Sequence, residues 1–137
     1  MKVENVRIDD DYIVVKASDS VLDVAKKMAE SGIPDAIVID DKDRAIGAID
    51  DYDIISKAVA PEKDLTTIKA EDIMYAPPPV RLTTELDEVH RVMDELEATV
   101  LPVVDADRKL LGVITIMDVL EGKVMSERSI FDKIMGR

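Results

Sequence analysis

The amino-acid sequence predicts an α+β protein built from two copies of one β-α-β-β-α unit. Three observations predict this fold class. Short apolar runs alternate with longer segments in which apolar residues recur every three or four positions, as in strands and amphipathic helices. The same order of segments occurs twice along the chain. The chain has 137 residues, 47% of them hydrophobic, which is enough for a compact core and excludes a disordered tail.

The duplication depends on landmarks that share one spacing. An aspartate after a strand, a glycine within the next strand and an aspartate in the closing helix each recur after 65 residues: Asp40 and Asp105, Gly47 and Gly112, Asp53 and Asp118. Upstream, the Leu-Asp pair at 22–23 matches the pair at 86–87 with an offset of 64. This difference predicts that one residue was gained or lost between helix and strand.

Each copy begins with a short β-rich run and a helix-start signal. In the first copy these are residues 12–15 and the pair Ser20 and Asp23. The pair has capping-box spacing, in which a hydroxyl and a carboxylate bind free amides at a helix start. The matching features of the second copy are residues 80–82, Thr84 and Asp87.

A helix, a hairpin and a short closing helix complete each copy. The first long helix ends at Gly32 and Pro34, which terminate helices. Two apolar runs around a charged turn then predict a hairpin in each copy. The hairpins span 37–49 and 100–114, and the closing helices span 52–58 and 117–125.

The repeats and the prolines together predict the domain boundaries. Residues 1–60 form the first repeat, 61–79 a proline-containing linker that leads into the second repeat, and 80–125 the second repeat. Residues 126–137 are expected to form a C-terminal helix, because Ile130, Phe131, Ile134 and Met135 share one side of it. We expect this helix to pack on its own domain or on a dimer mate.

Composition narrows the range of functions. The formal net charge of −12 disfavours a nucleic-acid partner, because an acidic chain repels the phosphate backbone. No apolar run is long enough to span a membrane, the start lacks a signal-peptide pattern, and there are no cysteines. A cytoplasmic protein without disulfides or thiolate metal sites is therefore expected. His90 is the only histidine, and no nucleophile–base spacing accompanies it, so we expect no enzyme activity.

Three short motifs make the chain resemble the cystathionine-β-synthase (CBS) domain family. They are Leu-Pro-Val-Val-Asp at 101–105, Gly-x-x-Thr-x-x-Asp at 112–118 and Asp-Ile-Met at 72–74. The resemblance covers nearly the whole chain and implies two repeats packed pseudo-symmetrically through their sheets. It also implies a homodimer, and clefts between repeats that bind AMP, ADP, ATP or S-adenosylmethionine as a ligand. No cofactor is required.

The residues of the second copy suit an adenosine on physical grounds. An ionised Asp118 at a helix start is stabilised by the helix dipole and can accept both hydroxyls of a ribose. The hydroxyl of Thr115 and the first helix amides can bind phosphate. In the family, the matching residues hold ribose and phosphate. Gly112 opens this motif, and the base is expected to lie against Val80, Pro102, Val103 and Met74.

Two alternatives stay open for these residues. Thr115 and Asp118 are also ordinary helix caps, and one residue can serve both roles. In the first copy Asp53 keeps the ribose position, but Asp50 replaces the hydroxyl residue and would repel a phosphate. The first site is therefore either empty or suited to a ligand without phosphate, such as the cationic S-adenosylmethionine.

The predicted function is a regulatory module that binds an adenosine-containing ligand and signals to a separate, unidentified partner protein. A ligand shifts such a module only by its differential affinity for two shapes. The main alternative is a dimeric interaction scaffold without a small ligand. A slow nucleotide hydrolase and a divalent-cation sensor are weaker alternatives.

Overall fold

The structure is a computed structural model that describes residues 1–136. After a 3₁₀ turn at Val3–Asn5, the first repeat contains three strands and two helices, the second helix continuing into a π-helical turn at Ile55–Val59. The second repeat contains a long helix, a hairpin and a C-terminal helix. The elements are β1 Ile13–Lys16, α1 Val21–Ser31, β2 Asp35–Ile39, β3 Ala45–Asp50, α2 Asp51–Ile54, α3 Ala70–Ile73, α4 Leu86–Leu96, β4 Val100–Val104, β5 Leu110–Thr115 and α5 Ile116–Met135.

The first repeat has the predicted β-α-β-β-α order, whereas the second repeat lacks its first strand. Strand β1 pairs parallel to β2, and β2 pairs antiparallel to β3. Of the strand predicted at 80–82, only Val80 pairs, through a single parallel bridge to Val103. Three prolines precede Val80, and the Arg81 amide donates to the Thr84 hydroxyl at 2.9 Å instead of to a strand. The α+β class with two repeats is confirmed.

The two repeats keep one offset of 65 residues throughout the helix, the hairpin and the start of the closing helix. Helices α1 and α4 are each 11 residues long and both end in a left-handed residue, Gly32 and Glu97. Val21 therefore corresponds to Leu86, and no residue has been gained or lost between helix and strand. The predicted offset of 64 was wrong, because it aligned identical letters rather than helix starts.

The predicted caps of the two long helices have different outcomes. In the first repeat, Ser20 Oγ accepts the amide of Asp23 at 3.1 Å, as predicted. In the second repeat, α4 begins one residue later than the predicted box requires, with Glu85 at the cap position and no side-chain cap. The capping box of Thr84 and Asp87 was therefore wrong, and the Thr84 hydroxyl bonds within the preceding turn.

Each repeat completes its core with a segment that precedes the other repeat. Val3, at the N-terminus, is fully buried in the core of the second repeat. Ala70 and Ile73, from the linker, are buried in the core of the first repeat. Antiparallel bridges mark both exchanges, Lys2 with Glu85 and Ser20 with Lys69. The domain boundaries at 60, 79 and 125 stay a prediction, but the packing of these two leading segments is crosswise.

The two repeats contact each other through their sheets. An apolar cluster between them contains buried residues from both hairpins: Ile37, Ala45, Ala48, Val100, Val104 and Val113. The Ala45 amide donates to the Arg108 carbonyl at 2.9 Å, and the Tyr75 hydroxyl donates to the Val100 carbonyl at 2.7 Å. This packing holds the starts of α2 and α5 in fixed positions, which is where the candidate site residues lie.

The C-terminal segment is the continuation of α5 rather than a separate helix. Helix α5 runs without a break from Ile116 to Met135, a total of 20 residues. Residues 117–136 contain no proline, and Gly122 stays helical because it packs tightly against Leu86 and Val6, where a larger side chain would not fit. No break in the helix accompanies the boundary predicted between residues 125 and 126.

Candidate functional site

The start of α5 holds the two residues for which both a cap and a ligand role were predicted. Thr115 is the N-cap, and its Oγ1 accepts the Asp118 amide at 3.2 Å. Asp118 Oδ2 in turn accepts the Thr115 amide at 2.9 Å. This reciprocal pair is a capping box, and both side chains are only partly buried. The cap role is thus real, and of the two carboxylate oxygens of Asp118 the cap uses only Oδ2.

Few helix amides are free to bind an anion here. The Ile116 amide donates to the Thr99 carbonyl at 2.8 Å, and the Asp118 amide donates to Thr115. Of the first three amides of α5, only that of Met117 has no acceptor within residues 1–136. A phosphate at this end would therefore depend on one amide, the Thr115 hydroxyl and water.

The N-terminal segment passes over the same place. A methyl group added at Gly112 would lie 3.5 Å from the Ile8 carbonyl oxygen, so Ile8 covers this glycine. Two residues further, the Asp10 carboxyl meets the Asp118 carboxyl, and this hydrogen bond is the main reason that the pKa of Asp10 is raised. Desolvation and the charges of Asp118, Asp9 and Glu121 raise it further. We call the space bounded by Gly112, Thr115, Asp118, Ile8 and Asp10 the second cleft.

The predicted apolar lining lies beneath the surface. Val80 and Val103 are almost fully buried in the second core, and the Val104 amide donates to the Val80 carbonyl at 2.8 Å. Pro102 borders a narrow cavity between the repeats, together with Gly47 and the prolines at 77–79. That cavity has a volume of about 10 Å³, room for at most one water molecule. An adenine base would enter it only if these walls moved.

Met74 lies on the first repeat, whereas the sequence analysis placed it with Asp118. A methyl group at Gly47 would come within 2.5 Å of the Met74 sulfur and 2.7 Å of the Tyr75 carbonyl oxygen. Met74 also packs on the first core. Because Gly47 and Gly112 are equivalent and the Ile8 and Tyr75 carbonyl oxygens lie over them, Tyr75 is the counterpart of Ile8. Each leading segment thus covers the glycine of the other repeat.

The start of α2 repeats the geometry of α5 with acidic residues only. Asp50 Oδ1 accepts the Asp53 amide at 2.7 Å, and Asp53 Oδ2 accepts the Asp50 amide at 2.9 Å. Asp53 is 9% exposed, and its Oδ1 lies 3.0 Å from the Lys57 ammonium. Lys57 also donates to the Ile73 carbonyl at 3.1 Å, which ties α2 to the linker.

A third carboxylate adds to this acidic group. Asp35 lies directly opposite Asp50 in the β2–β3 register. Burial, followed by the charges of Asp50, Asp51 and Asp53, raises the pKa of Asp35 to about 6. Burial also raises the pKa of Asp50. Burial, followed by the charges of Asp35, Asp50 and Asp53, raises the pKa of Tyr75. We call the space around Asp35, Asp50 and Asp53 the first cleft.

The two clefts therefore differ in charge although their backbones are equivalent. The positions of Asp35, Asp50 and Asp53 are occupied in the second repeat by Val100, Thr115 and Asp118. The first cleft concentrates carboxylates around one ammonium, and the second offers a hydroxyl, an amide and the carboxylate oxygen of Asp118 that the cap does not use. Among residues 1–136, no group of three histidine or acidic side chains is arranged to hold a metal ion.

The sequence analysis missed two features of the clefts, which are the crosswise placement of the leading segments and the contact of Asp10 with Asp118. Only the first of them had a signal in the sequence. Lys2-Val-Glu-Asn5 and Lys69-Ala-Glu-Asp72 share a pattern, and both form a turn in which the last side chain accepts the amide of the lysine. Aligning these segments would have placed Ile8 and Tyr75 in equivalent positions. The contact of Asp10 with Asp118 had no sequence signal, since Asp9–Asp11 reads as a solvated acidic turn.

Comparisons with known proteins agree on one family. The model of the CBS domain matches residues 3–60 and again residues 70–124. An uncharacterized protein of Methanopyrus kandleri, MK0525, is 32% identical over 112 residues, a match that covers 81% of this chain and 57% of that protein. The chain thus spans little more than half the length of this relative. None of the described helices has the length and apolar character needed to cross a membrane.

Solved structures of similar fold contain adenosine compounds. The crystal structure of CBSX2 in complex with AMP is 29% identical, with a TM-score of 0.70, and covers 92% of this chain and 98% of that one. The CBS domain pair of protein MJ0100, in complex with 5′-methylthioadenosine and S-adenosyl-L-methionine, has a TM-score of 0.72. It is 22% identical, covers 93% of this chain and 98% of that one, and shows likeness of fold alone.

Proposed function

Because the chain belongs to the CBS domain family, we propose that it is a cytosolic regulatory module that binds an adenosine-containing ligand in its second cleft. It carries out no chemistry of its own. Ligand binding would change the angle between repeats or between protomers, and a partner protein would respond to that change. The shift is limited by the difference in ligand affinity between the two shapes.

The observation that carries this proposal is the Thr115–Asp118 pair at the start of α5. The cap uses Asp118 Oδ2, so Oδ1 is the oxygen that would accept a ribose hydroxyl, with the ligand displacing the contact of Asp10. The Thr115 hydroxyl and the Met117 amide can donate to phosphate oxygens nearby. The AMP complex of CBSX2, at 29% identity, supports an adenine nucleotide as the ligand class.

The first cleft is proposed not to bind a phosphate-bearing ligand. Asp50 has no proton to donate when ionised, and Asp35 and Asp53 add to the repulsion of an anion. The cleft is either empty or occupied by a cationic adenosine compound such as S-adenosylmethionine. Asp50→Thr gives the first cleft the hydroxyl found in the second. We expect this variant to raise the stoichiometry of AMP binding in calorimetry from one site to two per chain.

A homodimer is the expected form of the module. Helix α2 and its π-helical turn expose Tyr52, Ile55 and Val59, by 51–67%. The equivalent positions on α5, which are Met117, Leu120 and Val124, are exposed by 42–62%. Equivalent apolar triplets on neighbouring helices favour association with another surface of the same kind. A separate protein would then receive the signal.

Thermal unfolding with AMP, ADP, ATP and S-adenosylmethionine tests the proposal. A ligand at a hundred times its Kd adds about 2.7 kcal/mol, on the order of ten degrees in Tm for a chain of this size. Asp118→Asn, which keeps an oxygen for the cap, should abolish the shift. Ser20→Ala is the matched control, because it removes the cap of α1 without changing either cleft.

The alternatives differ in the outcome of the same experiment. No shift with any of the four compounds contradicts the sensor and favours a ligand-free interaction scaffold. Release of phosphate from ATP, lost in Asp118→Asn, would indicate a hydrolase. Stabilisation by magnesium without nucleotide would indicate a cation sensor.

A further inference from the structure

The two hairpin turns meet at the end of the sheets that is far from the clefts. An antiparallel bridge between Arg44 and Lys109 joins them, and the Ala45 amide donates to the Arg108 carbonyl at 2.9 Å. In each repeat, six residues of extended chain separate this junction from the N-cap of the closing helix, a length of about 20 Å. The turn junction is therefore a separate place from either cleft.

Basic side chains surround a surface cavity of about 430 Å³ at the turn junction. The lining residues are Lys42, Arg44, Ala106, Asp107, Arg108 and Lys109. Arg44 is paired with Asp40, whose Oδ2 lies 2.7 Å from Arg44 Nε. Within residues 1–136, Lys42, Arg108 and Lys109 have no carboxylate partner. Three unpaired cations thus border one cavity in a chain whose net charge is −12.

The turns hold these cations together at a cost. Asp40 and Asp105 each use Oδ1 to accept two backbone amides of their own turn, at 2.8–2.9 Å. Lys109 Nζ donates across the junction to the Lys42 carbonyl, which keeps its ammonium at the cavity. Arg108 lies in the left-handed region, with φ at 64°, a conformation that arginine rarely adopts. Like charges and backbone strain are both unfavourable, and a bound anion would offset the repulsion.

A compact phosphate fits this cavity better than a large acidic partner does. Lysine and arginine donate several charge-assisted hydrogen bonds to phosphate oxygens. Asp41, Asp43 and Asp107 belong to the same turns, so an extended polyanion would meet repulsion around the cavity. Ala106 supplies the apolar part of the lining, which is too little surface for a base. These features favour a small multivalent phosphate over a nucleic acid or an adenosine compound.

We propose that the turn junction is a binding site for a compact multivalent phosphate such as pyrophosphate, held by Lys42, Arg108 and Lys109. Lys42 belongs to the first repeat and the other two residues to the second, so the ligand would link the repeats. It would stabilise the arrangement of repeats that brings the turns together. The site uses no cleft residue, and it does not depend on the proposed function.

Calorimetric titration with sodium pyrophosphate at constant ionic strength tests the site. The variant Lys42→Gln/Arg108→Asn removes two cations, and asparagine tolerates the left-handed conformation at position 108. It should raise the Kd for pyrophosphate at least about tenfold, because two charge-assisted hydrogen bonds are lost. Lys26→Gln/Lys63→Gln is the matched control, since it removes two exposed lysines away from the cavity, and it should leave the Kd unchanged.

Two further comparisons separate the turn junction from the clefts. Asp118→Asn should retain pyrophosphate binding and lose the thermal shift with AMP, whereas Lys42→Gln/Arg108→Asn should do the reverse. Orthophosphate should bind more weakly than pyrophosphate, because it offers fewer charged oxygens. The proposal would be overturned if the parent did not bind pyrophosphate, if the control variant lost as much affinity, or if Asp118→Asn abolished the binding. The thermal shift with AMP reports on the proposed function separately.

Discussion

The equivalent glycines of the two repeats should differ strongly in how much stability the protein loses when one methyl group is added. Gly47 and Gly112 occupy equivalent strand positions, and neither has a positive φ, so alanine is compatible with both backbones. At Gly112 the nearest atom to the new methyl group would be the Ile8 carbonyl oxygen at 3.5 Å, an ordinary contact. At Gly47 the methyl group would meet the Tyr75 carbonyl oxygen at 2.7 Å. We therefore compare Gly47→Ala with Gly112→Ala.

The magnitude follows from what holds Tyr75 in place. Its amide and its carbonyl both bond to Ala48, each at 2.9 Å, so the clash is relieved only by moving a pinned backbone. Overpacking costs about 1–3 kcal/mol, and weakening two hydrogen bonds adds about 1 kcal/mol. The lower chain entropy of alanine in the unfolded state offsets about 0.5 kcal/mol. Gly47→Ala should lose about 2–3 kcal/mol, whereas Gly112→Ala should stay within about 0.5 kcal/mol of the parent.

Calorimetric and urea unfolding of both variants measure this difference. Gly47→Ala should lower the Tm by about 10 °C, and Gly112→Ala should leave it nearly unchanged. Because Met74 and Tyr75 adjoin the first cleft, Gly47→Ala should also disturb any ligand bound there while sparing the second cleft. Equal losses in the two variants would refute the reasoning, because they would mean that the leading segments pack alike on both repeats.

Three further predictions concern the clefts and the first helix. Asp10→Asn should tighten AMP binding in calorimetry by roughly threefold to tenfold, because it removes one partly screened charge beside Asp118. Asp9→Asn should change the affinity less, and equal effects of the two variants would contradict the contact between Asp10 and Asp118. The raised pKa of Asp35 means that the folded state holds a proton more tightly, so this stabilisation is complete below about pH 4 and is lost as the pH rises through about 6. Asp35→Asn should therefore be more stable than the parent at pH 7.5 by about 1 kcal/mol after solvent screening. This difference in unfolding free energy, measured in urea, should disappear at pH 4. A difference that did not change with pH would show that the titration of Asp35 does not cause it. Ser20→Ala should cost about 1 kcal/mol in the same assay, and no loss would show that the α1 cap is not formed in solution.

Local patterns predicted the elements well where one residue type has one physical role. Gly32 ends α1 in the left-handed conformation, as a helix-stopping glycine should. The charged turns after Asp40 and Asp105 are held by those side chains, which accept amides two and four residues on. The hairpins were predictable for this reason. The strand at 80–82 was not, because its β-rich composition could not reveal that the Arg81 amide would donate to the Thr84 hydroxyl instead of to a strand.

The candidate site was predictable only in its local part. Thr115 and Asp118 are neighbours on one helix start, so their spacing alone brings them together. The placement of Met74 and Asp10 depends on which repeat each leading segment crosses, a tertiary property without a periodic signal. Residue-by-residue comparison of the repeats did expose the charge of the first cleft, since Asp50 stands where Thr115 does. The partnership of Asp35 with Asp50 required the strand register.

The crosswise packing of the leading segments makes the two repeats a single thermodynamic unit. Neither half of the chain carries a complete interior, because Val3 fills a place among the second repeat's residues, and Ala70 with Ile73 fill one in the first. A fragment ending before the linker would expose apolar surface in place of Ala70 and Ile73, so we expect it to stay unfolded rather than act as a half-sized module. Unfolding should accordingly be one cooperative transition. A ligand that bound in one cleft would contact a leading segment that is joined directly to the other repeat. Binding in one cleft could therefore affect the other repeat through this single connection.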